Sequence, residues 1–273
     1  MQIGLKMFKK KNRTSRVSDL RTSIDLAPID TLNINLPVFL MKQGKGWGAS
    51  TTREEASALF NHLGTNPDDK ITVFDVGANV GDYTDAVLQL LSNATVFSFE
   101  PSPEAHIILQ KRFSNVSQVS LAKVALGKAR GKSNLFADAS GSPLASLTKR
   151  RLDHFGLEFT HSDLVDVVTL DEWCNENAIW PDVIKMDVEG HELDVLRGGE
   201  NAVANARAVQ FEFGGCNIDT RTFFQDFWYF FKTKGFEIWR ITPSGLFKQE
   251  NYSELDECFV TTNYIAFKKL QTL

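Results

Sequence analysis

Cysteine is scarce in this chain. Three occur among 273 residues, Cys174, Cys216 and Cys258, far apart and without a C-x-x-C pair. That excludes a zinc ribbon or dithiol redox motif and leaves three reduced thiols as the simplest state. With 18 glycines and 8 prolines the chain is not collagen-like or of low complexity. No apolar run approaches the roughly 18 residues of a membrane-spanning helix. The basic N-terminal stretch is not followed by the apolar core of a secretory signal. A dominant charge is missing too, since 30 Lys and Arg face 34 Asp and Glu. This argues against a nucleic-acid-binding surface and against an acidic disordered chain. What the chain has in plenty is phenylalanine, 21 residues beside 4 Tyr and 5 Trp. At this length such side chains can fill one large core.

The pattern divides the chain into three. Residues 1–30 carry Lys6, Lys9, Lys10, Lys11, Arg13, Arg16 and Arg21 and read as a flexible basic tail. Its sharper reading is a weak contact with an anionic membrane face or an acidic partner. Residues 31–70 form an approach segment, with a turn at Gly44, Gly46 and Gly48 and a short helix from Thr51, where Glu54 completes a capping box. Residues 71–273 alternate strand and helix, the rhythm of a parallel sheet covered on both faces. The expected strands are 71–76, 95–100, 119–126, 164–170, 181–188 and 206–213. A helix from Glu189 to about Ala204 follows the fifth of these. FEIWRI and CFVTTNYIAF close the sheet with an antiparallel end. Phe223, Phe224, Phe227, Trp228 and Phe231 recur at helical spacing and read as a core face.

The first strand runs into Asp75-Val76-Gly77-Ala78-Asn79-Val80-Gly81, a strand, a glycine turn and a helix start. Gly77 allows a sharp turn and Gly81 lets a ligand approach the helix N-terminus. A dinucleotide fingerprint would need glycine where Asn79 stands. Asp75 would repel a pyrophosphate and suits a cationic or hydroxyl-rich ligand. Glu100 closes the second strand, where an acid commonly takes a ribose diol.

VFDVGANVGDYT, FSFEPSPEAHIIL, VALG, VVTLDEWC, VIKMDVEGHELDVLRGGE and VQFEFG, in this order, resemble the FkbM family of S-adenosylmethionine-dependent methyltransferases. The resemblance covers roughly residues 71–215, and its most specific part is K-x-D-x-E-G-x-E followed by L-R-G-G. It implies an α/β, Rossmann-like class I methyltransferase fold, a mostly parallel seven-stranded sheet with helices on both faces and an antiparallel C-terminal hairpin. It also implies methylation of a hydroxyl, on a sugar, a glycan or a secondary metabolite. Asp75, Gly77, Asn79 and Gly81, with Ala78, Tyr83 and Thr84 in the same stretch, would serve the methionine and ribose side of the cofactor. Glu100 would take the ribose hydroxyls, Pro101 and Ser102 would flank the adenine, and Val124 and Ala125 would lie on its other side. The absence of phosphate in this cofactor agrees with Asp75.

On the acceptor side, Asp187 falls at the carboxyl edge of its strand, where ligands collect in open α/β sheets. It is a candidate for both cofactor binding and catalysis. Glu189 and Glu192 are expected in the first helical turn, favoured there by the helix dipole. A sugar hydroxyl is a poor acid, so a general base or a metal is expected; His191 is the base candidate, with His154 and His161 as alternatives, and Asp187, Glu189 and Glu212 are further candidate catalytic residues. Oxygen ligands suit Mg²⁺, so a cation at Asp187, Glu189 and Glu212 stays open. Lys185 reads as the partner of a buried carboxylate. Lys149-Arg150-Arg151 reads as solvated or as a contact for an anionic acceptor. Together these readings describe a cytoplasmic methyltransferase with a small-molecule or glycan acceptor and no nucleic-acid partner, with homo-oligomerisation left open. A nicotinamide-dependent oxidoreductase and a non-catalytic binding module are the competing readings.

Overall fold

Short runs of β-branched and aromatic residues build the sheet. The computed structural model describes residues 51–269; the basic tail 1–30 and the part of the approach segment holding the glycine turn lie outside the described residues. Helix α1 (Thr52–Leu63) comes first. Thr51 is its N-cap residue, but the Thr51 hydroxyl donates to Glu55 and no side-chain cap bond forms, so the expected capping box with Glu54 is not seen. Then follow β1 (Thr72–Val76), α2 (Asp82–Leu90), β2 (Thr95–Phe99), α3 (Pro103–Phe113) and β3 (Val119–Ala122). An inserted block contains β4 (Ala125–Leu126), β5 (Gly131–Ala137) and β6 (His161–Val168). Beyond it lie α4 (Leu170–Asn177), β7 (Val183–Met186), α5 (Glu192–Gly198), α6 (Glu200–Asn205) and β8 (Ala208–Phe213). The chain continues through α7 (Cys216–Thr220), α8 (Phe224–Thr233), β9 (Phe236–Thr242), β10 (Gly245–Gln249) and β11 (Thr262–Lys268).

The main sheet has the order β10-β9-β11-β8-β7-β1-β2-β3. Strands β3, β2, β1, β7 and β8 pair in parallel, and β11 runs antiparallel between β8 and β9. The Rossmann-like α/β class is as expected, with eight strands in place of seven: β10 folds back on β9 as a hairpin that the sequence reading did not separate. Residues 119–126 form two strands, not one. The chain leaves the main sheet after Ala122, and β4 pairs with β6 in a second sheet of order β4-β6-β5. Of the expected strand 164–170, the part to Val168 accordingly belongs to that smaller sheet, while Thr169 and Leu170 open α4.

Alternation along the strands divides the core. Phe74, Val76, Phe99, Ile184, Met186 and Phe211 face the side covered by α4, α5 and α8. Val73, Val96, Val183, Ala208 and Ile265 face the opposite side, where α1 and α2 pack. Phe224, Phe227, Trp228 and Phe231 are buried as expected, but Phe223 is exposed because it precedes the first turn of α8. The expected single helix from Glu189 starts later and breaks at a glycine pair. A Cβ on Gly198 would lie 2.0 Å from the Gly127 carbonyl oxygen, and one on Gly199 would press into Leu170 at 2.6 Å. The L-R-G-G signature thus marks where α5 and α6 meet the backbone of the insertion and the start of α4.

Candidate active site

The same alternation that hides Val73, Val96, Val183 and Ala208 carries polar groups two residues further on. Asp75 pairs in register with Ser98 and with Lys185, and Lys185 with Gln210. These four side chains form a row across adjacent strands, facing α1 and α2. The Asp75 carboxylate is fully buried: Thr84 Oγ1 donates to its Oδ2 at 2.8 Å, and Lys185 Nζ lies 3.2 Å from Oδ1. Lys185 also donates to the Gly77 carbonyl at 3.1 Å. The expected pairing of Lys185 with a buried carboxylate is therefore present. Burial works against its charge, yet Asp75, Asp187 and Glu55 raise its pKa above the usual lysine value. Tyr83, also buried, donates through its hydroxyl to Gln210 Oε1 at 3.3 Å. Asp75, Tyr83 and Thr84 thus lie beneath the glycine turn and brace it.

A second row opens at the carboxyl ends of the strands. The turn bends through positive φ at Gly77, Asn79 and Gly81. Asn79 is the costly one, a non-glycine residue in the left-handed region. Its N–H is thereby aimed at Glu100 Oε2, to which it donates at 2.8 Å; the Ser102 N–H donates to Oε1 at 2.8 Å. Burial pushes the Glu100 carboxyl up and these two bonds pull it back. Ala78 is buried beside Leu109 and Phe113 under the turn. Ser102 caps α3 by accepting from the Ala105 N–H, and Pro101 precedes it. Val124 and Ala125 sit where the chain crosses from β3 into β4, and Ala125 pairs with Val167.

Past β7 and β8 the sheet edge turns acidic. Asp187 is the open member, its side chain 40% exposed. Glu212 is buried, hydrogen-bonded to Asp187, and held well above the usual carboxylate range by burial first and by Asp187 and Glu189 next. Asn263 on β11 is its register partner. Glu189 is not in a helical turn as expected. It sits at φ 53 in the loop before α5, which starts at Glu192. Burial raises its carboxyl to about 8, Asp187 adds to this, and Arg150 opposes it. Glu192 turns back to accept the Val188 N–H at 2.8 Å, so it shapes the loop.

The insertion reaches this edge. Arg150 is not solvated. Its guanidinium pairs with Glu189, lies 3.3 Å from Asp219, and is 9% exposed. Ser146 Oγ donates to the Glu189 carbonyl at 2.8 Å. His191 is not brought to the acidic edge. Its ring nitrogens meet Thr148 Oγ1 at 3.0 Å and Asp194 at 3.2 Å, and it lines a cavity of about 480 Å³ with Lys128, Arg197 and Arg221 that includes neither Asp187 nor Glu212. The His154 ring packs at a tilt against Phe155, and His161 pairs with Asp163. Among the described residues no group of three or more His, Cys, Asp or Glu is arranged to hold a metal ion. Glu189 is turned to Arg150 and Glu212 to Asp187. Sequence reasoning missed Glu55, Gln210, Asn263 and the role of Arg150, since each acts through partners distant in the chain.

Comparison with known proteins places the chain in a family. Residues 75–238 match the model of the methyltransferase FkbM domain. The chain is 29% identical over 151 residues to the 2-O-methyltransferase NoeI of Sinorhizobium fredii, covering 52% of this chain and 62% of that protein. It is 30% identical over 148 residues to Methyltransferase 1 of Beauveria bassiana (48% and 59%), and 29% identical over 138 residues to the hexuronic acid methyltransferase AglP of Haloferax volcanii (50% and 53%). The chain thus spans between 53% and 62% of the length of these relatives. An O-methyltransferase of Bacillus cereus in complex with SAH overlays with a TM-score of 0.43 at 12% identity, covering 93% of this chain and 97% of that one. With the domain model matching well over half of its residues, the chain belongs to the FkbM methyltransferase family.

Proposed function

We propose that this protein transfers a methyl group from S-adenosylmethionine to a hydroxyl of a sugar or glycan. The observation that carries the reading is the placement of two unlike carboxyl sites along one sheet edge. Glu100, at the end of β2, is held by two backbone N–H groups; the Asp187–Glu212 pair lies at the ends of β7 and β8. Between them the turn presents backbone, because a Cβ on Gly77 would lie 1.9 Å from the Asp187 carbonyl oxygen.

These residues fit the cofactor. Each Glu100 oxygen accepts one N–H and keeps a lone pair for a ribose hydroxyl. Gly77, Ala78, Asn79 and Gly81 form the turn on which the ribose and methionine parts would rest. Pro101 and Ser102 on one side, and Val124 and Ala125 on the other, would flank the adenine. Acids outnumber cations at the edge, which favours a sulfonium and an ammonium and disfavours a pyrophosphate. When bound, S-adenosylmethionine supplies an electrophilic methyl carbon on a positively charged sulfur.

The chain's own residues must orient the acceptor hydroxyl and take its proton. Asp187 is exposed enough to meet the hydroxyl. Glu212, raised by burial and by its acidic neighbours, keeps its own proton, so Asp187 is the group that takes the proton the hydroxyl releases. Glu189, fixed by Arg150, lines the same edge. His191, turned to Thr148 and Asp194, is the weaker base candidate. The names of two relatives, a 2-O-methyltransferase and a hexuronic acid methyltransferase, support a sugar acceptor. A Mg²⁺ requirement is not part of this reading, because Arg150 already occupies the Glu189 carboxyl. A cytoplasmic site of action is part of it, supported by free Cys174, Cys216 and Cys258. Among the described residues no helix is long and apolar enough to cross a membrane.

The test is calorimetry with S-adenosylhomocysteine, followed by tritium transfer from labelled cofactor to a panel of neutral sugars and uronic acids. Glu100→Ala should weaken binding by about tenfold or more. Asp187→Asn should stop transfer while binding persists, and EDTA should leave transfer intact. Unaltered binding in Glu100→Ala would sink the cofactor assignment; transfer only to non-hydroxyl acceptors would sink the chemistry.

A further inference from the structure

The polar row beneath the turn extends to an element that precedes the matched domain. Glu55, on α1, is buried at 5% exposure. Its Oε2 accepts from Gln210 Nε2 and from Asn263 Nδ2, both at 2.9 Å, and its Oε1 accepts from Thr51 Oγ1 at 2.7 Å. A carboxylate that holds the nitrogen of an amide fixes where the amide oxygen points. Gln210 Oε1 is accordingly turned to the Tyr83 hydroxyl, 3.3 Å away. The Tyr83 ring faces Lys185 Nζ at 5.6 Å, and Lys185 donates to the Gly77 carbonyl. One carboxylate on α1 thus sets a relay across the sheet that ends under the glycine turn.

Two features point beyond packing. A buried acid near Asp187 is a costly way to join helix to sheet, and an apolar side chain would do so more cheaply. The relay also ends at a particular place. If Glu100 holds the ribose at β2 and Asp187 with Glu212 holds the acceptor at β7 and β8, the amino-acid end of the cofactor must pass near β1 and β7. Gly77 and Lys185 lie there.

We propose that Glu55 is a positioning residue of the cofactor site, acting through Gln210, Tyr83 and Lys185 on the turn that receives the amino-acid end of the cofactor. This rests on the methyltransferase reading above. It extends the working site to a helix outside residues 75–238.

Calorimetry on the full chain with two ligands tests it. S-adenosylhomocysteine carries the amino-acid end and 5′-methylthioadenosine lacks it. Glu55→Ala should weaken the first by about tenfold and the second by less than about twofold. Glu55→Gln can keep its carbonyl on both amides and donate to Thr51, so it should stay within about threefold of wild type for both ligands. Equal weakening of both ligands with a lower Tm would reduce Glu55 to a structural role and overturn the proposal, as would unchanged binding of both. Should Glu55→Ala not fold, Gln210→Met, which cuts the relay with Glu55 in place, must show the same selective loss or the proposal fails. Wild-type protein that binds neither ligand would remove the cofactor reading and this proposal with it.

Discussion

At position 77 one hydrogen atom decides whether β1 can turn under the neighbouring strand. Gly77 adopts φ 74, and any Cβ would overlap the Asp187 carbonyl. Gly77→Ala should destabilise the fold by about 2 kcal/mol or more and abolish S-adenosylhomocysteine binding, measured by urea unfolding and calorimetry. Glu189 supplies a test in pH. Its carboxyl is raised from 4.5 to about 8, chiefly by burial and then by Asp187. The folded protein therefore keeps a proton that the unfolded chain releases, so stability falls as pH rises between those values and levels off above them. Glu212 acts in the same direction. Glu189→Gln should flatten the decline, read as denaturation midpoints at pH 5.5, 7 and 8.5; an unchanged slope would contradict the assignment. The glycines and the carboxylates were legible in the sequence because a turn needs particular residues at particular spacings. The orientation of Glu189 was not. Its left-handed backbone and its bond to Arg150 depend on the insertion folding back over β7.

Elements show the same division. Helix α4 begins with a full capping box, in which Thr169 Oγ1 accepts the Glu172 N–H and Glu172 accepts the Thr169 N–H. Thr169→Ala should cost about 1 kcal/mol in urea unfolding. Such a cap is local and matches T-x-x-E, although the same pattern at Thr51–Glu54 does not form one. The segment 144–152 is the opposite case. Small residues and a basic cluster look like a solvated loop, yet Ser146, Thr148 and Arg150 fasten it to the Glu189–His191 turn. Arg150→Ala should raise hydrogen exchange in 144–152 while leaving affinity for S-adenosylhomocysteine within about twofold. The expected single strand at 119–126 divides for a related reason. Hydrophobic pattern identifies extended chain but does not say which sheet it joins, and Lys123-Val124 is where the chain changes sheets.

At the scale of the whole molecule, the described residues fall within one compact unit, and its sheet is closed by residues beyond the matched domain. β11 lies between β8 and β9, and α1 covers the face of Val73, Val96, Val183 and Ala208. A fragment limited to 75–238 should therefore lack cooperative unfolding by circular dichroism, because β8 would keep an unpaired edge. The sequence by itself determined the α/β class, the alternation of strands and helices, the glycine turn and the acids at the strand ends. Each follows from local sterics, side-chain period or charge within a few neighbouring residues. Only the tertiary structure decided that Asp75 and Lys185 lie beneath the turn, that His191 meets Thr148 and Asp194, that Arg150 holds Glu189, and that Glu55 reaches Gln210 and Asn263. Those facts depend on strand register and on partners up to 208 residues apart, which no local pattern encodes.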